Sequence, residues 1–163
     1  MKQTKNSFLI YFLVFSLCLG SHFAFSQQQI LTGAEQSALY LPLLEGKKVG
    51  FVGNQTSIMP QSANKHVVDF LLEKGVQVKK VFVPEHGFRG TADAGEKVDN
   101  SVDQKTGLPI VSLYGNNKKP SAAQIADLDV VIFDLQDVGT RFFTYISTMH
   151  YVMEACAEQG KKV

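Results

Sequence analysis

A cluster of ionisable side chains follows the apolar run at residues 81–83 of the sequence. It consists of Glu85, His86, Arg89, Asp93, Glu96 and Asp99. Glu85 comes directly after Pro84 at the end of the apolar run, and apolar surroundings disfavour the charged form of a carboxylate. An acid in that setting keeps its proton until a reacting group takes it. The pattern therefore predicts Glu85 as a proton donor.

Paired carboxylates point to one reaction in particular, the hydrolysis of a glycosidic bond. That reaction needs a proton donor on the leaving oxygen and a second group that attacks the sugar or activates water. Two simpler interpretations of Glu85 remain open at this point. It could form an ion pair with Arg89, four residues later, or lie in an exposed turn.

Metal binding is an alternative use of the same side chains, with Asp103 as a further oxygen ligand. Their spacing matches neither an EF-hand loop nor the HExxH motif. Acidic loops are more often simply solvated, so no metal is predicted.

Several other chemistries lack their motifs. The first predicted strand leads into "GFVGNQTS", which has neither a Walker lysine nor the GxGxxG fingerprint of dinucleotide binding. The GxSxG nucleophile elbow is also absent. Cys156 lies among the apolar positions of a predicted helix, where a packed, inert thiol is expected. The sequence therefore predicts no cofactor.

Four apolar runs rich in Val, Ile and Phe predict the elements that position these residues. The predicted strands cover residues 47–54, 76–84, 108–115 and 128–137, and the predicted helices cover 65–74, a short stretch from Ser121, and 143–159. Runs without strict alternation are typical of parallel strands that are covered on both faces. The alternation of strands and helices predicts an α/β fold, Rossmann-like and doubly wound, with a mostly parallel sheet.

Ligands of open α/β sheets bind beyond the carboxyl ends of the strands. Asn54 follows the first predicted strand, Glu85 the second, and Gln136, Asp137 and Arg141 lie at or beyond the end of the fourth. These polar side chains are expected to line one cleft. Structural roles are the alternatives: Asp134 and Asp137 could cap the following helix, Tyr145 could be a core residue, and His66 an ordinary surface or half-buried histidine.

The first 26 residues are predicted to be a secretory signal peptide, because Lys2 and Lys5 precede an apolar run at residues 8–19 and small residues follow. The segment 27–163 then forms the Rossmann-like domain, in the periplasm or outside the cell and without a stable membrane anchor. It carries 14 basic and 15 acidic residues, which does not suggest nucleic-acid binding. The closing "KKV" is typical of a strand start, so the sequence is interpreted as an N-terminal fragment.

Longer motifs then occur in a fixed order along the chain. They are "NQT", "PEHGFRG", "DAGEKVD", "DQKTGLP", "SLYG", "KP", "FDLQDVGTRFFTYISTM" and "YVMEA". In this order they resemble the exo-β-N-acetylmuramidases of bacterial peptidoglycan recycling, over the N-terminal Rossmann-like part of that family only.

The resemblance implies the release of terminal N-acetylmuramic acid from the non-reducing ends of peptidoglycan-derived glycans. Glu85 becomes the leading candidate for the general acid, with His86 beside it and Glu96 as a candidate second carboxylate. The residues expected to line the substrate cleft are Asn54, Arg89, Gln136, Asp137, Arg141 and Tyr145.

The resemblance also implies that a smaller C-terminal domain, absent from this sequence, completes the protein. An arginine suits the lactyl carboxylate of muramic acid, because its planar fork accepts a carboxylate through two hydrogen bonds. Arg89 and Arg141 are both candidates for that contact. Two alternatives to a glycosidase are an exported sugar-binding module without catalysis and a metal-dependent hydrolase.

Overall fold

The computed structural model describes residues 30–85, 87–90 and 101–163. Thr32–Val163 forms one compact unit. The helices are α1 (Ser37–Leu44), α2 (Val67–Glu73), α3 (Ala122–Ile125) and α4 (Tyr145–Glu158), and Pro60–Ser62 is a 3-10 turn. The strands are β1 (Lys48–Gly53), β2 (Ile58–Met59), β3 (Lys65–His66), β4 (Gln77–Val83), β5 (Ser101–Val102), β6 (Pro109–Ser112) and β7 (Val130–Asp134).

The central sheet has the order β5-β6-β4-β1-β7. β1 runs parallel to both β4 and β7, and β4 runs parallel to β6, whereas β5 is antiparallel at the edge. The predicted α/β, mostly parallel fold is thus confirmed, and each of the four long predicted strands is present with shorter ends. β2 and β3 form a separate two-stranded hairpin.

Each face of the sheet carries its own apolar core, because successive strand residues point to opposite faces. Phe51, Val81 and Leu71 belong to the core on the α1 and α2 side. Val52 and Phe82 belong to the core on the α3 and α4 side, together with other buried residues of those helices and of β7. Helices on both faces are the doubly wound arrangement that the sequence predicts.

The apolar stripe of α4 differs from the predicted one. Its buried positions are Thr148, Val152, Ala155 and Cys156, which recur at spacings of three or four. Phe143, Ile146 and Met153 were expected to pack as well, but they are about half exposed. The periodicity correctly predicted a helix. The rest of the protein buries only part of the broad apolar surface of this helix.

Three elements were not predicted, namely α1, the β2–β3 hairpin and β5, and β3 takes the first two residues of the predicted helix 65–74. α1 is apolar on all sides and contains Pro42, so it lacks the periodicity of an amphipathic helix. The short strands have two residues each, too few for any alternation to be visible. The predicted strand start at "KKV" corresponds to an isolated parallel bridge between Lys162 and Val130.

Candidate active site

The carboxyl ends of β1, β4 and β7 meet at one edge of the sheet. Val52 of β1 is paired with Phe82 of β4, and Gly53 of β1 is paired with Asp134 of β7. Asn54, Glu85 and the segment after Asp134 therefore leave the sheet on the same side, as the sequence predicts for a doubly wound fold.

Asn54 is fully buried and held in a fixed orientation. Its side-chain oxygen accepts hydrogen bonds from the backbone N–H of Thr56 at 2.9 Å and from the Thr56 hydroxyl at 2.7 Å. Its Nδ2 donates to the Tyr145 hydroxyl oxygen at 3.0 Å. Since that oxygen acts as the acceptor, the Tyr145 O–H proton is available to a further acceptor.

Tyr145 is the first residue of α4, and its phenol interacts electrostatically with the carboxylate of Glu85. Burial raises the pKa of Tyr145, the hydrogen bond from Asn54 lowers it, and the negative charge of Glu85 raises it again. Glu85 itself is half-buried. An amide, a phenol and a carboxyl group from three separate parts of the chain are therefore gathered at the sheet edge, and groups of these kinds can bind and protonate an oxygen atom of a ligand.

His66 connects this cluster to α2, a role that the sequence does not predict. It is buried, its Nε2 lies 3.0 Å from the backbone oxygen of Asn54, and its Nδ1 accepts a hydrogen bond from the backbone N–H of Val68 at the start of α2. This pair of contacts fixes the neutral tautomer with the proton on Nε2. The position of His66 just before the first helical residue is the one sequence signal for this capping role.

The buried His66 is expected to make the protein less stable in mild acid. Burial lowers the pKa of His66, the hydrogen bond to Asn54 raises it, Arg89 lowers it, and the weaker influences of Asp69 and Asp103 raise it, with a net decrease. The unfolded chain, with a histidine pKa of about 6.5, then takes up the proton before the folded chain does. The free energy of unfolding should fall as the pH drops below about 6.5, by at most about 1.4 kcal/mol per pH unit.

Urea unfolding of the full-length protein between pH 5 and 8 measures this effect. The His66→Gln variant should lose the part of the pH dependence of the free energy of unfolding that His66 contributes. The exposed His150→Gln variant should keep it. An unchanged slope in the His66 variant would contradict the prediction.

Arg89, predicted as a substrate ligand, is engaged by two carboxylates of the protein. It forms ion pairs with Asp69 of α2 at 2.9 Å and with Asp103 after β5 at 2.8 Å. Burial would raise the pKa of Asp103, but the hydrogen bonds and charge of Arg89, aided by Thr106, outweigh burial and lower this pKa to about 2. Asp103 was considered above as a metal ligand and acts here as an ion-pair partner.

The segment between β7 and α4 carries the remaining predicted ligands. Gln136, Asp137 and Arg141 are all exposed. The Asp137 carboxylate accepts hydrogen bonds from the backbone N–H of Gly139 at 2.7 Å and of Ile146, in the first turn of α4, at 3.2 Å. Asp137 therefore stabilises the start of α4, as the capping alternative predicted.

Several predicted residues lie outside the described part of the chain. These are His86, Asp93, Glu96, Asp99 and the signal peptide at residues 1–26. Their predicted roles stay predictions. Among the residues that the structure describes, no group of three or more His, Cys, Asp or Glu side chains could hold a metal ion. In the same residues, no helix has the length and apolar character needed to span a membrane.

Comparison with known proteins identifies the family. Residues 49–163 match the family described as exo-β-N-acetylmuramidase NamZ, N-terminal. The chain belongs to this family. The resemblance found in the sequence motifs is thereby confirmed.

Relatives of this NamZ-family chain include the peptidoglycan β-N-acetylmuramidase NamZ of Bacillus subtilis strain 168. The two are 45% identical over 122 residues, which make up 74% of this chain and 29% of the relative. Two crystal structures of DUF1343 family proteins from Bacteroides fragilis NCTC 9343 have the same fold. One has a TM-score of 0.71 at 40% identity and the other 0.70 at 41%, covering 80% and 83% of this chain.

This chain spans about a third of the length of those NamZ and DUF1343 relatives. It covers 32% and 33% of the two crystallised proteins. These proportions agree with the further C-terminal domain that the sequence resemblance implies.

One groove among the described residues is lined by none of Asn54, Glu85 and Tyr145. It has a volume of about 720 Å³ and runs between α1 and β7, past Tyr40, Leu71, Ile132 and Val163. Asp134 is one of its lining residues, and burial raises the pKa of that carboxyl group. The lining is mainly apolar, which suits packing against protein better than binding of a glycan. We therefore place the candidate active site at the sheet edge.

Proposed function

We propose that this chain is the N-terminal part of an exo-acting glycoside hydrolase. The full-length protein would release terminal N-acetylmuramic acid from the non-reducing ends of peptidoglycan fragments. Membership of the NamZ family supports the substrate class. The observation that carries the chemistry is the convergence of Glu85, Tyr145 and Asn54 at the carboxyl edge of the sheet.

In this proposal Glu85 is the general acid. It donates a proton to the glycosidic oxygen as the bond to the anomeric carbon breaks, so that the leaving sugar departs as a neutral alcohol. The Tyr145 hydroxyl, oriented by Asn54, donates a hydrogen bond to a polar substituent of the bound sugar.

The second catalytic group has three candidates. Glu96 is the candidate within this sequence, with His86 as a further catalytic residue. The acetamido group of the substrate, or a residue of the missing C-terminal domain, could equally act on the anomeric carbon. Where the second group is a carboxylate of the protein, its distance from the Glu85 carboxyl group in a complete structure would distinguish retention, at roughly 5 Å, from inversion, at roughly 6.5 to 9.5 Å.

Turnover of an aryl β-N-acetylmuraminide by the full-length protein tests the proposed function. We expect release of N-acetylmuramic acid that EDTA does not inhibit. Sugar binding without product would instead identify a binding module. Loss of activity with EDTA, restored by a divalent cation, would identify a metal-dependent hydrolase.

Arg141 is proposed to bind the lactyl carboxylate of muramic acid. It is exposed after β7, and its side chain forms no hydrogen bond or ion pair with another described residue. Charge-assisted, bidentate hydrogen bonds of this kind are worth about 1.5 to 3 kcal/mol. The Arg141→Gln variant should therefore bind N-acetylmuramic acid about 10- to 100-fold more weakly, with little change for N-acetylglucosamine, which lacks the carboxylate.

Calorimetric titration of both sugars measures that discrimination. The Arg141→Lys variant keeps the charge but not the planar fork, so it should recover the difference between the two sugars only in part. Equal weakening for both sugars would contradict a role in carboxylate recognition.

Export of the protein is part of the same proposal, because its substrate lies outside the cytoplasm. The basic and apolar pattern of residues 1–26 supports a cleaved signal peptide. Mass spectrometry of the mature protein should find Gln27 at the N-terminus, in the periplasmic or secreted fraction. An intact N-terminus in the cytoplasmic fraction would contradict export.

A further inference from the structure

Almost all of the hydrogen-bond donors of the Arg89 side chain are paired with acceptors of the protein itself. Its Nε and Nη2 donate to the two oxygens of Asp103 at 3.2 and 2.8 Å. Its Nη1 and Nη2 donate to the two oxygens of Asp69 at 3.2 and 2.9 Å. These bonds occupy four of the five N–H groups of a guanidinium, and the one left over cannot make a bidentate contact with a substrate carboxylate.

Both partners of Arg89 are themselves fixed. Asp103 is 4% exposed and accepts hydrogen bonds from the backbone N–H and the hydroxyl of Thr106 at 3.2 and 2.6 Å. Asp69 lies in the first turn of α2 and also binds Lys105 at 2.6 Å. Arg89 is thus anchored to α2 and to the turn before β6.

The anchored arginine is connected to the candidate active site through its neighbour Phe88. The guanidinium lies over the Phe88 ring at 4.4 Å, and the buried Phe88 packs edge-on against His66 with ring centres 4.7 Å apart. His66 in turn contacts the backbone oxygen of Asn54. A continuous set of contacts therefore runs from Arg89 to the asparagine that orients Tyr145.

The loop after β4 also packs closely against the loop after β1. Gly90 has a φ of +74°, and a Cβ placed there would lie 3.1 Å from the Cβ and Cγ of Gln55. Gly87 has a similar φ of +72°. Glu85 precedes these two glycines on the same loop after β4.

We propose that Arg89 is a positioning residue that holds the Glu85 loop, and that it does not bind the substrate. Its two bidentate ion pairs hold the loop at residues 87–90, and through this loop the Glu85 carboxyl group relative to Tyr145. The catalytic part of this inference rests on the proposed function. It separates the two arginines that the sequence leaves equivalent and leaves Arg141 as the carboxylate ligand.

Kinetics of the full-length protein test the positioning role. Arg89→Lys, Arg89→Gln and Asp103→Asn should each lower kcat for an alkyl or disaccharide β-N-acetylmuraminide, whose leaving group needs a proton, about 100-fold, which is the effect of a small misplacement of a catalytic group. KM and the affinity for N-acetylmuramic acid should change by less than about threefold if no substrate bond is lost. The lysine should not rescue activity, because a point charge cannot replace two bidentate contacts.

A double-mutant cycle sharpens this test. The fold decrease in kcat of the Arg89→Gln/Asp103→Asn double variant should be no more than about twice that of either single variant, because both substitutions remove the same anchor. Two outcomes would overturn the proposal. One is a large increase in KM for the muraminide with kcat unchanged in the Arg89 variants, and the other is an Asp103→Asn variant with wild-type kcat.

Amide hydrogen exchange provides a readout that does not depend on catalysis. The backbone amides of Glu85 and of residues 87–90 should exchange at least about tenfold faster in Arg89→Lys and Asp103→Asn than in the wild type. The matched control is Lys119→Gln, which removes a surface ion pair with Glu154 and Glu158 and should leave this loop unchanged. Unchanged exchange in the Arg89 variant would refute positioning, whereas a wild-type protein without turnover would refute the proposed function alone.

Discussion

The Glu85→Gln variant of the full-length protein should turn over an alkyl or sugar β-N-acetylmuraminide about 10²- to 10⁴-fold more slowly than the wild type. That range is the usual contribution of a positioned general acid. Glutamine has the size of glutamate and can still donate a hydrogen bond, but it has no proton to give to the leaving oxygen. KM should remain near the wild-type value, because the loss falls on the transition state and not on binding.

The leaving group decides whether this loss reflects acid catalysis. An aryl leaving group with a low pKa departs without protonation, so the same variant should lose much less activity on a dinitrophenyl substrate than on a disaccharide. Glu45→Gln, at an exposed glutamate after α1, is the matched control and should behave as the wild type on both substrates. An equal loss by Glu85→Gln on both substrates would remove Glu85 from the role of proton donor.

The Gly53→Ala variant is expected to show the largest loss of stability. A Cβ at this last residue of β1 would lie 2.3 Å from Phe51 Cε1 and 2.5 Å from the Ser57 hydroxyl oxygen. The Ser57 hydroxyl accepts from the backbone N–H of Asn54 and donates to the backbone oxygen of Asp134 at 2.6 Å. Overpacking costs about 1 to 3 kcal/mol and each lost hydrogen bond about 1 kcal/mol, so we expect a decrease of about 2 to 5 kcal/mol in the free energy of unfolding.

Urea unfolding of the full-length protein measures this decrease, as a lower midpoint with little change in slope. Gly33→Ala is the matched control, because a Cβ at Gly33 meets nothing within 4 Å. Its free energy of unfolding should stay within about 0.5 kcal/mol of the wild-type value. A Gly53→Ala variant as stable as the Gly33→Ala variant would show that β1 shifts to accommodate the methyl group.

The sequence determined the architecture of the domain and the edge at which its chemistry lies. The long runs that form β1, β4 and β7 are visible as continuous apolar segments, because strands buried on both faces need apolar side chains at nearly every position. Since parallel strands end at a common edge, the placement of Asn54 and Glu85 on that edge followed from the order of the elements alone. Family membership was likewise visible in the motifs.

Only the tertiary structure decided which partner each polar side chain has. Asn54 and Tyr145 are 91 residues apart, and Arg89 binds Asp69 and Asp103 at separations of 20 and 14 residues. Periodicity reports on neighbours within one element, whereas an ion pair or hydrogen bond depends on which loops meet at the sheet edge. The sequence therefore left Arg89 and Arg141 as equivalent candidates, and the fold separated them because it places two carboxylates around Arg89.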